Sequence, residues 1–411
     1  MISCEAPGLA PVDQALATLL AGIVPQQRTE RVALADAAGR ILAETISSPM
    51  NVPPAANSAM DGYAIRAADV QQATELTLIG RSMAGHPFDG CVSAGECVRI
   101  MTGAVMPAGA DTVVMQENVT LPQEGTVAFA QAAKGGDNVR AAGEDIRHGQ
   151  VLFSAGRRLR AADTGLLASI GIDSVMVSAR LRVALLATGD ELVEPGSPLA
   201  DGQIYQSNSF GVGALLRRFG CEVTSMGTIE DCEAALRDAF QRADALADVV
   251  LTTGGVSVGE ADYTRDVLES LGRMDFWRLA IKPGKPFACG RLRSSLFIGL
   301  PGNPVSALVT LHQLALPMLR KLQGEDAVQP VRLPAKAAAM LRKRPGRLDL
   351  QRGIWSLADD GGVQVIPTGG QSSGVLSSLS EANCFIVLEQ ERGRVEPGET
   401  VTIELFDGLL L

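Results

Sequence analysis

The 411-residue sequence is poor in the residues and runs that mark several common chemistries. It has only three histidines, His86, His148 and His312, and no His-Glu-x-x-His spacing, which excludes the usual zinc-hydrolase framework and leaves each to a surface or packing role. No Gly-x-Ser-x-Gly elbow occurs and Ser257 has no histidine in sequence reach, so no side chain stands out for covalent catalysis. Seven cysteines (Cys4, Cys91, Cys97, Cys221, Cys232, Cys289, Cys384) are odd in number and include no Cys-x-x-Cys pair, which argues against a disulfide framework and structural zinc. There is no run of about 18 apolar residues, and the opening Met-Ile-Ser-Cys-Glu has neither the basic region nor the apolar core of a leader. Positive charge is in deficit, Lys+Arg 36 against Asp+Glu 46 giving -10, which disfavours nucleic acid and anionic membrane as partners. The expectation is a soluble, cytoplasmic protein in a reducing compartment, where any phosphate site is a local basic pocket.

What the chain does have is glycine in telling places. Residues 248–262 read Asp-Val-Val-Leu-Thr-Thr-Gly-Gly-Val-Ser-Val-Gly-Glu-Ala-Asp. A short β-branched run predicts a buried strand, and the periodic segment 263–271 predicts a helix after it. Gly254, Gly255 and Gly259 allow positive φ and a close backbone approach, while Thr252, Thr253 and Ser257 offer hydroxyls and amides where a helix N-terminus favours an anion. No Gly-Lys-Ser/Thr ends the loop and no Gly-x-Gly-x-x-Gly precedes it, so it is neither a P-loop nor a dinucleotide fingerprint. An ordinary strand-to-helix turn is the alternative.

The length calls for about two to four domains. An amphipathic helix is predicted from Val12, Ala15, Leu16, Leu19 and Leu20, ending near Gly22. A short strand over 31–34 and a helical stretch over 36–43 follow, before Pro49, Pro53 and Pro54 mark a boundary. Residues 48–148 read as a β-rich domain with strands near 76–79, 97–101, 112–115 and 127–130. A hairpin near 154–156, a helix over 161–170 and a strand over 174–177 come next. From 181 to about 323 strands and helices alternate, predicting a doubly wound, mostly parallel sheet whose ligand lies beyond the strands' carboxyl ends. The remainder reads as a small β domain, with a possible helix at 335–341 and a hairpin at Asp359-Asp360-Gly361-Gly362.

At the predicted sheet edge stand three carboxylates, Glu191, Asp231 and Asp262, with Lys282 and Lys285. Carboxylates without thiol or imidazole suit a hard cation such as Mg²⁺, and the lysines suit an oxyanion. Asp231 and Asp262 are also candidates for plain helix N-caps.

Four motifs then converge: Thr-Thr-Gly-Gly-Val-Ser-Val-Gly-Glu-Ala-Asp-Tyr (252–263), Lys-Pro-Gly-Lys-Pro (282–286), Leu-Pro-Gly-Asn-Pro-Val-Ser (300–306) and Ser-Ala-Met-Asp-Gly-Tyr-Ala (58–64). Together they resemble the molybdopterin molybdenumtransferase family, the MoeA and gephyrin C-terminal type, along essentially the whole chain. The resemblance implies a multidomain α/β plus β protein. Its central doubly wound domain (8–28 and 180–326) would be of the molybdopterin-binding type, with a small mixed linking domain (29–47 and 149–179), an inserted β-rich domain (48–148) and a C-terminal β-barrel-like domain (327–411). It implies an elongated homodimer that inserts molybdate into adenylylated molybdopterin with Mg²⁺, releasing AMP, and touches the molybdopterin adenylyltransferase and acceptor molybdoenzymes transiently.

By the same resemblance Asp61, Glu191, Asp231 and Asp262 would be catalytic, the last three also holding the metal. Thr102, Asp145, Thr253, Gly254, Gly255, Ser257, Arg278, Lys282, Lys285, Pro301, Pro304, Arg352 and Ser373 would contact substrate. Arg278 stands where relatives are expected to carry lysine, which keeps the charge and changes the geometry. Two other activities fit the same α/β module: adenylylation of molybdopterin, and a non-catalytic scaffold.

Overall fold

The computed structural model describes residues 8–71, 73–255 and 263–406. The chain divides into two compact units, one of Met1–Glu30, Gly39–Ile41 and Ser178–Leu411, the other of Arg31–Ala38 and Leu42–Val177.

The second unit contains a six-stranded sheet in the order Thr112–Met115, Gly62–Ile65, Glu96–Ile100, Thr74–Ser82, Thr126–Phe129 and Val119–Gln123. Its strand Gly62–Ile65 is buried throughout because both faces are covered. Tyr63, Ile65, Cys97, Val127 and Phe129 pack on one side, and Ala64, Ile100 and Val113 on the other. A separate core of Leu42, Ile46, Phe153, Leu159, Leu167 and Val177 gathers around the helix Ala161–Ser169.

The first unit begins with α1 (Val12–Ala21), whose Val12, Ala15 and Leu19 are buried as the apolar stripe requires. Its α/β part then alternates: β1 (Arg182–Thr188), α2 (Asn208–Phe219), β2 (Glu222–Ile229), α3 (Glu233–Leu246), β3 (Val249–Thr253), α4 (Tyr263–Leu271), β4 (Arg273–Arg278), β5 (Pro286–Arg291), β6 (Leu296–Leu300), and a helix from α5 (Pro304–Thr310) to α6 (Leu316–Leu322). The sheet order is β2-β1-β3-β6-β5-β4. Strands β2, β1, β3 and β6 are mutually parallel, so the doubly wound expectation holds. Leu185, Leu251 and Ile298 face α1, α2 and α5–α6, while Leu186, Val250 and Phe297 face α3 and α4. Between α5 and α6, residues Leu311–Ala315 form a π turn. Pro317, near the start of α6, explains it: the ring cannot donate and crowds the carbonyl of Gln313, and widening the turn relieves both.

The C-terminal part is a barrel of β7 (Arg332–Ala337), β8 (Leu348–Leu357), β9 (Val363–Pro367), β10 (Cys384–Leu388) and β11 (Thr400–Leu405). The order β8-β9-β7-β11-β10 closes through a β8–β10 pairing, which leaves no open edge in that ring.

Three local expectations are corrected. Residues 36–43 are not helical: a 3-10 turn at Leu34–Asp36 is followed by extended bridges, Leu42 pairing with Val177. The segment near 154–156 turns without forming a hairpin, because Val151–Phe153 pairs with Ile46–Ser47. Residues 335–341 are not a helix, since β7 is captured by pairing along its length with β11, which overrides the helical preference of its alanines.

Candidate functional site at the carboxyl edge of the sheet

Strands β1, β2, β3 and β6 end on the same sheet edge, and β4 ends there too, being antiparallel to β5, which is itself antiparallel to β6. The segments after these strands therefore gather where open α/β sheets bind their ligands.

The glycine loop follows β3. Gly254 and Gly255 have φ of +95° and +65°. A Cβ on Gly254 would sit 2.6 Å from the Thr188 carbonyl oxygen, and one on Gly255 would sit 2.7 Å from Thr264 Oγ1 and 2.9 Å from Thr188 Oγ1. Conformation and space both demand glycine. The Gly254 amide donates to the Leu300 carbonyl at 3.0 Å, which ties the loop to the end of β6.

Around this loop stand four buried threonines, Thr188, Thr252, Thr253 and Thr264, none more than 7% exposed. Among the described residues none of their hydroxyls has a hydrogen-bond partner. An unpaired buried hydroxyl costs about 1–3 kcal/mol, a cost that added polar groups at this loop would offset. Thr188 and Thr252 share the face of Leu186 and Val250 on adjacent parallel strands, and Thr253 points to the opposite face.

Three carboxylates lie at the loops after β1 and β2. Asp231 has its carboxyl held above the usual range, first by partial burial and then by the charges of Asp190 and Glu191. Its amide donates to Asp190 Oδ1 at 3.2 Å. It is not an N-cap: α3 starts at Glu233 with Cys232 in the cap position and no side-chain capping bond. Among the described residues no three acidic, thiol or imidazole groups converge tightly enough to hold a metal. Asp262 and Ser257 lie outside the described residues. The donor set is nonetheless all carboxylate, and its mutual repulsion is what a hard divalent cation would relieve.

The basic side of the edge is uneven. Lys282 Nζ lies 3.1 Å from Asp349 Oδ2 on β8, so it is already paired, while Lys285 is half-buried and has no ion-pair partner among the described residues. Arg278 ends β4 with its side chain exposed and its carbonyl accepting from the Ala10 amide at 2.8 Å. Pro301 is buried directly after β6, and Pro304 opens α5. Arg352 is fully buried, and burial pushes its pKa down. Its guanidinium donates to Ser378 Oγ and to the Gly370 and Ser372 carbonyls at 3.1, 3.4 and 3.2 Å. It braces that segment from beneath, and the Ser373 carbonyl accepts from the Val305 amide of α5 at 3.1 Å.

The remaining predicted site residues belong to the other unit. Thr102 donates to Asp61 Oδ1 from its amide and from its hydroxyl, both at 2.7 Å. Those bonds, the amide first, hold the Asp61 carboxyl below the usual range. Asp145 lines a cavity of about 530 Å³ with Val52, Pro53, Asn57, Arg140 and Glu144. Sequence reasoning had not singled out Thr264, Asn208 or Asp349. Thr264 was findable as the hydroxyl one helical residue beyond the loop; Asp349 was not, since only the β8 pairing brings it to Lys282.

Fold and site together define a doubly wound α/β module with a glycine loop at its strand ends, joined to a closed β barrel. Residues 10–171 match the family model described as MoeA N-terminal region (domain I and II). Residues 184–321 match a probable molybdopterin binding domain, and 334–406 the MoeA C-terminal region (domain IV). A molybdopterin molybdenumtransferase of Haemophilus influenzae is 50% identical over 97% of this chain and 99% of its own. One of Nostoc is 36% identical over 94% of this chain and 92% of its own. The crystal structure of a molybdopterin biosynthesis MoeA protein from Pyrococcus horikoshii OT3 superimposes with a TM-score of 0.82 at 30% identity, covering 97% of this chain and 100% of that one. The chain belongs to the molybdopterin molybdenumtransferase family.

Proposed function

We propose that the protein completes the molybdenum cofactor: it takes adenylylated molybdopterin and molybdate, inserts the metal and releases AMP. Full-length identity of 50% to a molybdopterin molybdenumtransferase supports the reaction. The structural observation that supports placing it at this edge is the glycine loop ringed by threonine hydroxyls that have no partner among the described residues.

Thr253, Gly254, Gly255 and Ser257 cradle the phosphates through amides and hydroxyls, and Lys285 adds the free charge. Lys282, held by Asp349, positions the turn that carries Lys285, and Arg278, Pro301 and Pro304 shape the rim. Glu191, Asp231 and Asp262 would hold Mg²⁺, which would supply charge neutralisation at the phosphoanhydride. Positioning and charge stabilisation suffice for this cleavage, in keeping with a sequence in which no side chain stands out for covalent catalysis. Arg352 holds the segment bearing Ser373 for the incoming oxyanion. Asp61, Thr102 and Asp145 complete the site from the β-rich domain of a second copy in a homodimer. The four-part domain division given above, with boundaries near 28, 47, 148, 179 and 326, and a cytoplasmic location belong to the same reading. No helix among the described residues is long and apolar enough to cross a membrane.

Incubation with adenylylated molybdopterin, molybdate and Mg²⁺ is expected to release AMP in step with molybdate consumed. ATP consumption without molybdate demand would identify an adenylyltransferase instead. Loss of AMP release in Asp231→Asn, with the fold intact, separates catalysis from scaffolding.

A further inference from the structure

Beside the glycine loop the first unit opens into a groove of about 380 Å³ between the starts of α2 and α5. Tyr205, Asn208, Phe210, Pro304, Leu308 and Leu376 line it. Tyr205, Phe210 and Leu376 are 46%, 58% and 36% exposed, an unusual grouping of large apolar side chains around one concavity. The groove is preformed: the Tyr205 hydroxyl donates to the Ser197 carbonyl at 2.9 Å, which fixes the ring. It also adjoins the glycine loop through Gly302. Asn208 Nδ2 donates to the Gly302 carbonyl at 2.6 Å, and a Cβ on Gly302 would lie 3.8 Å from Gly254 Cα.

A polar glycine loop beside an apolar, aromatic-walled groove matches a ligand with a phosphate at one end and a flat ring at the other. We propose that the groove binds the planar heterocycle of the substrate, stacked against Tyr205 and Phe210, while its phosphate lies on residues 253–255. This rests on the reading of the substrate as a phosphate-bearing pterin nucleotide. The volume lies at the low end of the ~300–1,000 Å³ typical of small-molecule sites, so it takes one bicyclic ring system rather than two. Pterin and adenine share that chemistry, and binding separates them.

The test uses the full chain and two variants. Gly211 faces the groove from α2, and a Cβ there would meet only Leu308 methyls, at 3.6 Å, so Gly211→Leu fills the space at ordinary contact distance. Tyr205→Ala removes a wall instead, and it stands alone should the filled variant fail to fold. Binding of pterin-6-carboxylate is read by its own fluorescence polarisation, and binding of AMP and pyrophosphate by calorimetry. Expected is binding of at least one heterocycle to the parent protein, weakened tenfold or more in each folded variant, with pyrophosphate affinity unchanged. Pterin-6-carboxylate affected alone assigns the groove to the pterin, and AMP affected alone assigns it to adenine. Failure of both probes to bind the parent, or parent-like affinity in both variants, overturns the proposal. AMP release is measured in parallel. Parent-like KM and kcat in the variants would sink the groove and leave molybdenum insertion standing, whereas no AMP release by the parent would sink the insertion reading while the ring-binding result still decides the groove.

Discussion

Lys282 Nζ lies 3.1 Å from Oδ2 of Asp349, a buried carboxylate oxygen that among the described residues otherwise accepts only from Gln351 Nε2 at 3.2 Å. Two lysines three residues apart in one turn therefore do different work. Lys282→Ala leaves a buried carboxylate short of its cation and is expected to lower stability by about 1–3 kcal/mol, toward the low end because the lysine is partly exposed. Lys285→Ala is expected to stay within about 0.5 kcal/mol of the parent while lowering the use of molybdate or nucleotide. Thermal melts beside steady-state kinetics check both; equal melting losses in the two variants would contradict the distinction.

Gly255→Ala is expected to abolish AMP release and to destabilise. The added methyl meets two hydroxyl oxygens inside 3 Å at a φ of +65°, and left-handed strain adds about 1 kcal/mol to the clash. A second substitution, Thr264→Ala, removes the nearer oxygen. Partial recovery of the melting temperature without recovery of activity in the pair would show that the hydroxyl serves the ligand as well as the fold.

Asp231 carries a pH signature. Its folded pKa is raised by burial and then by Asp190 and Glu191, so ionising it costs stability above the folded pKa, and the cost disappears below the unfolded one. Asp231→Asn is expected to melt higher than the parent at neutral pH without metal, the gain fading on acidification. Mg²⁺ is expected to raise the parent's melting temperature more than the variant's. A variant that melts lower than the parent at neutral pH would place Asp231 in a structural role.

Asp248 is the opposite case. Burial pushes its pKa up, but the Arg182 side chain and amide, with Arg28, outweigh it and hold the carboxyl below the usual range. Its contribution is fully present above an unfolded pKa near ~3.9 and is lost as pH falls through the lower folded value. Asp248→Asn is expected to lower the melting temperature at pH 7 and to differ little from the parent once acid has protonated both states. Melts across that range decide it.

The α/β part was legible because its signals are local. Segments such as 183–187 and 249–251 are buried on both faces and read as unbroken apolar runs, and the helices between them keep a 3.6-residue stripe. The glycine loop was legible too, since positive φ leaves few residue choices. Where neighbours far along the chain decide, sequence reading failed: the alanines of 335–337 prefer a helix until β11 pairs with them, and 36–43 stays extended because residue 42 bridges to 177. The site shows the same division. Sequence alone named the side chains proposed to meet phosphate and cation, because charge and hydroxyl chemistry travel with residue type. Only the tertiary structure decided that Lys282 is paired while Lys285 has no ion-pair partner among the described residues, that Arg352 is spent on backbone carbonyls, and that an aromatic groove adjoins the loop. Each of those depends on which strand lies beside which, and pairing between distant strands is a property of the packed sheet that no local pattern encodes.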